Sequence, residues 1–352
     1  MTLDTASYDA TALRRFAHDA LVACGLAPGR AAVVADVLLE GDLLGHTTHG
    51  LALLAPYADE LLGGRMAATG DPVVISDRGA AIAWDGMRLP GPWLVRRGIA
   101  LASDRAEQYG TATVAIRRSH HIAALAAYLE PTARAGKVLL ILSSDPGVAV
   151  VAPFGGKTPV LTPNPIAAGW PTQDEPVLLD ISTSLTTVGM VGRQHRAGGH
   201  LPHPWLVDAD GRATADPTAV IGGQGALLPL GGLDAGHKGF GLGLMVEALT
   251  SALAGGGRNG TPDGWGASVM IQVIDPAAFG GGEAFAAETQ AVAASCRAAT
   301  PIDAARPVRM PGAAALARKA SQLADGVRLH HEIGPALQAL AQKLGLAVPA
   351  PL

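Results

Sequence analysis

Cysteine is nearly missing from this chain of 352 residues, which has only Cys24 and Cys296. Two thiols so far apart cannot build a disulfide scaffold or a cysteine-based zinc site, so both are expected to be buried and reduced. Aromatic residues make up only 4% and charged residues 16%. The core must therefore be built mainly of Ala, Val and Leu, and no basic field exists to hold nucleic acid by bulk charge. Basic residues number 26 and acidic residues 30, leaving a net charge of −4. A long apolar run is lacking too. The nearest, Gly239 to Gly255, carries Glu247 in its middle. It falls short of the ~20 residues a membrane span needs, so a buried helix is expected there. The polar N-terminus has no apolar leader segment, which points to a soluble cytoplasmic protein.

What the chain has is apolar bulk, 49% of its residues, punctuated by 45 glycines and 25 prolines. Such a composition offsets the entropy of ordering, which excludes a disordered chain, and the length suggests two or three subdomains. Apolar positions at helical spacing predict two helices over residues 8–45, split at Pro28-Gly29. A third is expected over 50–63, a β pair at 73–75 and 80–84, and a helix over 91–109 stopped by Gly110. Strands at 113–116 and 138–142 flank a helix expected over 121–135. The stretch 197–225 reads as polar and turn-rich; a strand at 268–274 and helices over 284–299 and 313–344 close the chain. The fold class is α/β, a mixed central sheet wrapped by helices. Residues 1–72 with 313–352 are expected to form a helical subdomain, and 73–312 the region binding cofactor and substrate.

Generic cofactor signatures fail. Gly239-Phe240-Gly241-Leu242-Gly243 has the wrong spacing for a dinucleotide fingerprint, and there is no P-loop and no nucleophile elbow. The histidine pairs lack the spacing of a zinc hydrolase helix, so no catalytic metal is expected. Combinations say more. Gly45-His46-Thr47-Thr48-His49-Gly50, followed by Tyr57, gathers imidazoles and hydroxyls where two helices meet. Ser119-His120-His121 follows a strand and is read as opening a helix. Asn164-Pro165 and Asp180 to Ser184 end further strands. His237-Lys238 begins the apolar helix, where free backbone N–H groups and a lysine suit a phosphate.

In this order the motifs resemble the non-Rossmann malate/L-lactate dehydrogenase superfamily, over roughly residues 10–345. The matching segments are Gly45 to Gly63, Ser119 to Ala123, Pro153 to Pro165, Leu179 to Ser184, Leu228 to Leu242 and Arg309 to Gly312. The resemblance implies a largely antiparallel sheet, a homodimer, a small-molecule substrate, and NAD or NADP as cofactor. The expected reaction is reduction of a 2-oxo acid or cyclic imine, or its reverse. Carried over, His49 and His121 are the proton donors or acceptors. Thr48, Ser144, Asp180, Ser182, Thr183, Ser184, His237, Lys238, Pro311 and Gly312 fall on cofactor-contacting segments, and Leu53 and Asn164 on the substrate side. Lys238 and the hydroxyls at 182–184 would donate to pyrophosphate or ribose. Arg193 and Arg196 are candidates for a ribose 2′-phosphate.

The departures are informative. Thr48 stands where the family has serine, Leu53 where it has an arginine suited to a carboxylate, Ala123 where it has glycine and Ser144 where it has asparagine. Thr162-Pro163 interrupts another motif. Loss of a guanidinium removes a strong charge-assisted contact, which implies an atypical substrate. An alternative is a descendant with altered or lost redox chemistry: a cyclase, isomerase or ligand-binding protein. Retention of His237-Lys238 and of 180–184 favours the oxidoreductase.

Overall fold

The computed structural model describes residues 6–260, 262 and 264–352. The polar start of the chain, residues 1–5, lies outside them, as do Thr261 and Asp263. Two helices lead. In α1 (Ala10–Ala23) the Asp9 carboxylate accepts the Ala12 N–H at 2.7 Å, and the predicted stripe of Leu13, Phe16, Ala20 and Leu21 is buried. In α2 (Pro28–Leu44) proline occupies the first turn, where no N–H is required, and Gly45 ends the helix at φ 93°. A single 3₁₀ turn, Leu51–Leu53, runs into α3 (Leu54–Leu62).

The main sheet uses β1 (Val73–Asp77), β2 (Ala81–Asp85), β3 (Thr111–Ser119), β4 (Val138–Ser144), β5 (Ile166–Trp170), β6 (Val177–Ile181) and β10 (Ala267–Ile274), in the order β1-β2-β3-β10-β4-β5-β6. Only β2 and β3 pair in parallel. Between β2 and β3 runs α4 (Gly91–Tyr109), stopped by Gly110 at φ 79° as expected, and it packs on β3 and β10. One apolar core extends from α1–α3 through α4 to the sheet. A smaller one surrounds Val151, Leu161, Val191, Leu206 and Leu227.

Four expectations are corrected. The helix expected over 121–135 begins late: His120 to Ala124 have no helical structure, a 3₁₀ turn spans Leu125–Tyr128, and α5 is only Leu129–Arg134. Ala123 at φ 60° breaks any helix there. The polar stretch contains a three-stranded sheet, β7 (Leu206–Val207), β8 (Ala213–Thr214) and β9 (Ala226–Leu227), whose two-residue strands leave no alternation to read. Before it comes α6 (Val188–Arg196), capped by Thr187.

The apolar helix forms as α8 (His237–Glu247), after the short α7 (Gly232–Ala235), but the chain buries only its Gly239, Gly243 and Val246. Leu244 and Met245 are 48% and 41% exposed. After α9 (Gly282–Ala298), the expected closing helix is two, α10 (Ala313–Asp325) and α11 (Ile333–Leu344). They are split at Gly326, after which Val327 pairs with Tyr8. Among the described residues no helix is long and apolar enough to cross a membrane.

Candidate active site

The turn between α2 and α3, the chain after β3, the end of β4 and the start of α6 surround a cavity of about 750 Å³. Its walls include Thr48, His49, Leu53, His121, Ser144, Asn164, Asp180 and Ser182, which brings together eight of the residues expected from sequence. Thr183 and Ser184 are buried beside it, and His237 and Lys238 lie exposed at the start of α8, outside its walls. Gly312 borders a second cavity, of about 570 Å³, with Arg309 and Arg318, and Gly45 and His46 line both. Pro311 is exposed, and its carbonyl accepts the Leu178 N–H.

His121 is held from both its ring and its backbone. The Tyr57 hydroxyl donates to the His121 carbonyl oxygen at 3.0 Å, its oxygen lies 2.8 Å from the ring's Nδ1, and the Ala123 amide nitrogen is 3.3 Å from the same ring nitrogen. The hydroxyl has one proton and a carbonyl can only accept it, so Nδ1–H donates to the Tyr57 oxygen and the neutral ring keeps its lone pair on Nε2. The ring stacks on Trp265 at 4.6 Å between centroids, and on His49 at 5.8 Å. His49 Nδ1 is 2.8 Å from the Thr48 hydroxyl. Burial pushes the His49 imidazole down to about 4, with His46 and Arg193 adding to the effect, and holds His121 well below the usual imidazole range. Both rings are therefore neutral at pH 7. His120 is fully buried, with Nε2 3.3 Å from Glu60, and is absent from the cavity wall.

The loop carrying His49 rests on Asp42, a buried carboxylate of α2. Its Oδ2 accepts the Leu51 N–H at 2.6 Å, and burial raises the group to about 7 against the pull of that N–H and Arg193.

Several expected ligand donors are already engaged. Ser182 and Ser184 donate to the carbonyls of Ser184 and Thr186, and Thr183 to that of Pro163. The Ser144 hydroxyl joins those of Thr250 and Ser251, at 2.7 and 2.8 Å. Their hydroxyls brace these loops. Asn164 is fully buried at φ 42°; its amide donates to the Gly243 carbonyl and to Glu247, and its oxygen accepts from Thr162. It positions the wall through its backbone. Asp180 accepts the Ala126 N–H at 2.8 Å, capping the turn after His121 from a neighbouring strand. Arg196, offered as a 2′-phosphate partner, is paired through two nitrogens with Glu332, at 2.9 and 3.0 Å. Cys296, expected to be buried, is only half-buried. Trp265, Asp42 and Asp145 went unnoticed in the sequence. A tryptophan inside a glycine-rich loop, in a chain so poor in aromatics, was the one available signal. Among the described residues no cluster of three His, Cys, Asp or Glu side chains is arranged to hold a metal.

The malate/L-lactate dehydrogenase family matches residues 8–338. This chain belongs to that family. An L-lactate dehydrogenase of Cupriavidus necator is 33% identical over 96% of this chain and 98% of its own length. A (2R)-3-sulfolactate dehydrogenase (NADP(+)) of Chromohalobacter salexigens is 36% identical over 67% of this chain and 68% of its own. The crystal structure of a Δ1-piperideine-2-carboxylate reductase from Pseudomonas syringae superposes with a TM-score of 0.83, at 30% identity, covering 96% of this chain and 100% of that one. As a member of the malate/L-lactate dehydrogenase family the chain has dehydrogenases and reductases as its relatives, and its mostly antiparallel sheet is the one they share.

Proposed function

We propose that the protein is an NAD- or NADP-dependent oxidoreductase. It interconverts a 2-hydroxy and a 2-oxo acid, or a cyclic amine and imine bearing a carboxylate, and His121 moves the proton. The observation that carries this is the fixed His121 ring, whose Nδ1 is occupied and whose Nε2 is left for the cavity. The cavity suits a nicotinamide cofactor. The first turn of α6 supplies Val188 to Met190 to the wall, where backbone N–H groups favour phosphate, and Ile122 and Trp265 give an apolar aromatic surface. Asp180, Ser182 and Thr48 would lie along the bound cofactor, with Gly312 and Pro311 beyond, by the second cavity. The bound nicotinamide supplies or removes a hydride at carbon.

In the oxidative direction His121 keeps its Nδ1 proton on the Tyr57 oxygen while the Nε2 lone pair takes up the substrate's hydroxyl proton, and the neutral form needed for that step dominates at pH 7. His49 shares the cavity as second imidazole. Trp205, Leu53, Val148 and Val150 add apolar wall, which fits a substrate bulkier than pyruvate. Reduced NAD or NADP carrying deuterium at the transferable position should label the former carbonyl or imine carbon of a bulky 2-oxo acid or cyclic imine. Absence of label from a broad panel would contradict the assignment, and efficient labelling of pyruvate or oxaloacetate would contradict the atypical substrate.

The pH dependence follows with its sign. Oxidation needs a neutral imidazole and is lost as pH falls through its pKa, so the acid limb of kcat/KM for oxidation should lie well below the usual imidazole range. At pH 5.5 an ordinary imidazole titrating near 6.5 would retain only about a tenth of its neutral form. Reduction needs the protonated ring and should quicken as pH is lowered from 7. An acid limb near 6.5 in the oxidative profile would rule out the depressed imidazole.

A second copy of the chain is the proposed cover for α8. Leu244, Met245, Leu249 and Leu253 are exposed in this helix and the turn continuing it, with Leu230 and Leu233 just before, and an apolar surface of this kind in a water-soluble chain marks an interface.

A further inference from the structure

Leu53 stands where a carboxylate-binding cation would be expected, yet the cavity is not without one. Among the described residues that line it, Arg193 is the only arginine or lysine. We infer that Arg193, reaching in from α6, is the group that receives the substrate's carboxylate, an inference that rests on the oxidoreductase reading above.

The guanidinium is 8% exposed and part of the cavity wall. Its Nη1 donates to the Thr47 hydroxyl at 2.7 Å and its Nη2 to the Thr47 carbonyl at 2.6 Å. The nearest carboxylate oxygen, of Glu332, is 3.6 Å from Nε, and Glu332 is itself shared with Arg196. A guanidinium has five N–H groups, so each terminal nitrogen keeps one beyond its bond to Thr47. A charge this deeply buried and this loosely neutralised gains from an incoming anion, and the planar fork suits a carboxylate. Its place also matches the chemistry. Thr47 carries the guanidinium, Thr48 bonds the His49 ring, and His49 stacks on His121, so cation and imidazoles meet on one short loop. In a 2-oxo acid the carboxylate is one bond from the carbon that is reduced, and its anchor must be a near neighbour of the proton carrier. The acids that line the cavity, Asp145 and Asp180, are turned to backbone amides of Gly147, Gly266 and Ala126.

The test uses oxanilate, an unreactive 2-oxo-acid mimic with one carboxylate and an apolar ring, and its neutral amide. Binding of each is measured by calorimetry on the full-length protein, alone and with reduced nicotinamide present. Wild type should prefer oxanilate to the amide, and Arg193→Met should weaken oxanilate by roughly tenfold or more, as expected for hydrogen bonds to a charged group, while the amide is unchanged. Arg193→Lys keeps the charge without the fork and should lose a smaller part; it also serves if the methionine variant does not fold. Equal oxanilate binding by wild type and variants overturns the inference. So does an equal loss for acid and amide, which would make Arg193 a brace for Thr47 only. Wild type that binds reduced nicotinamide but not oxanilate overturns this inference and leaves the cofactor reading standing. Failure to bind either nicotinamide instead removes the cofactor reading.

Discussion

Turnover of the His121→Ala variant should fall by about 10²–10⁴-fold, the usual worth of a positioned proton-transfer group, with nicotinamide affinity nearly unchanged. The size of the effect follows from how the ring is held. The Tyr57 hydroxyl, donating to the His121 carbonyl and accepting from Nδ1–H, turns Nε2 to the cavity, and Trp265 stacks against one face. No other group has that combination. His49→Ala removes the second imidazole, but its Nδ1 is held only by the Thr48 hydroxyl, so its loss should be the smaller of the two. Steady-state rates on an identified substrate, with cofactor binding followed by nicotinamide fluorescence, decide the point. Turnover of His121→Ala within threefold of wild type would remove that residue from the mechanism.

Gly91→Ala should be nearly as damaging, although Gly91 lies at the start of α4 and is absent from the cavity wall. A Cβ on this residue would sit 2.3 Å from the His120 carbonyl oxygen and 2.4 Å from that of His121. These are backbone atoms and cannot swing aside as the tip of a side chain can. Either α4 withdraws from the sheet or the segment carrying His121 shifts. Overpacking of this sort costs typically 1–3 kcal/mol, and a displaced imidazole costs turnover as well. Gly29→Ala is the matched control, because a Cβ there meets nothing within 4 Å. Thermal melting should separate the two variants clearly. A Gly91→Ala protein as stable and active as wild type would show that the helix start and the His121 segment are not in the contact described.

The sequence was most readable where a short local rule decides the structure. Apolar spacing marked α1 and α2, Gly110 marked the end of α4, and the two histidines could be placed in one cavity on the order of their motifs. It was least readable where partners come from far along the chain. That Asp180 caps the turn after His121, or that Arg193 reaches Thr47 across 146 positions, depends on the sheet bringing distant segments together. The hydroxyls at 182–184 show a second limit. Their residue types are those of a phosphate site, but that Ser182 and Ser184 bond nearby carbonyls and Thr183 the distant Pro163 is decided by the folded chain. The apolarity of α8 was legible, but whether the chain itself or a second copy covers it is not written in one helix. The break at Ala123 was hidden because alanine favours helices, and only the surrounding fold holds it at φ 60°.

Titration of the purified wild-type protein with NADH and NADPH in parallel, by calorimetry or nicotinamide fluorescence, tests the central claim most directly. Micromolar binding of one of the two, retained in His121→Ala, is the predicted result. Binding of neither would contradict an oxidoreductase built on this cavity.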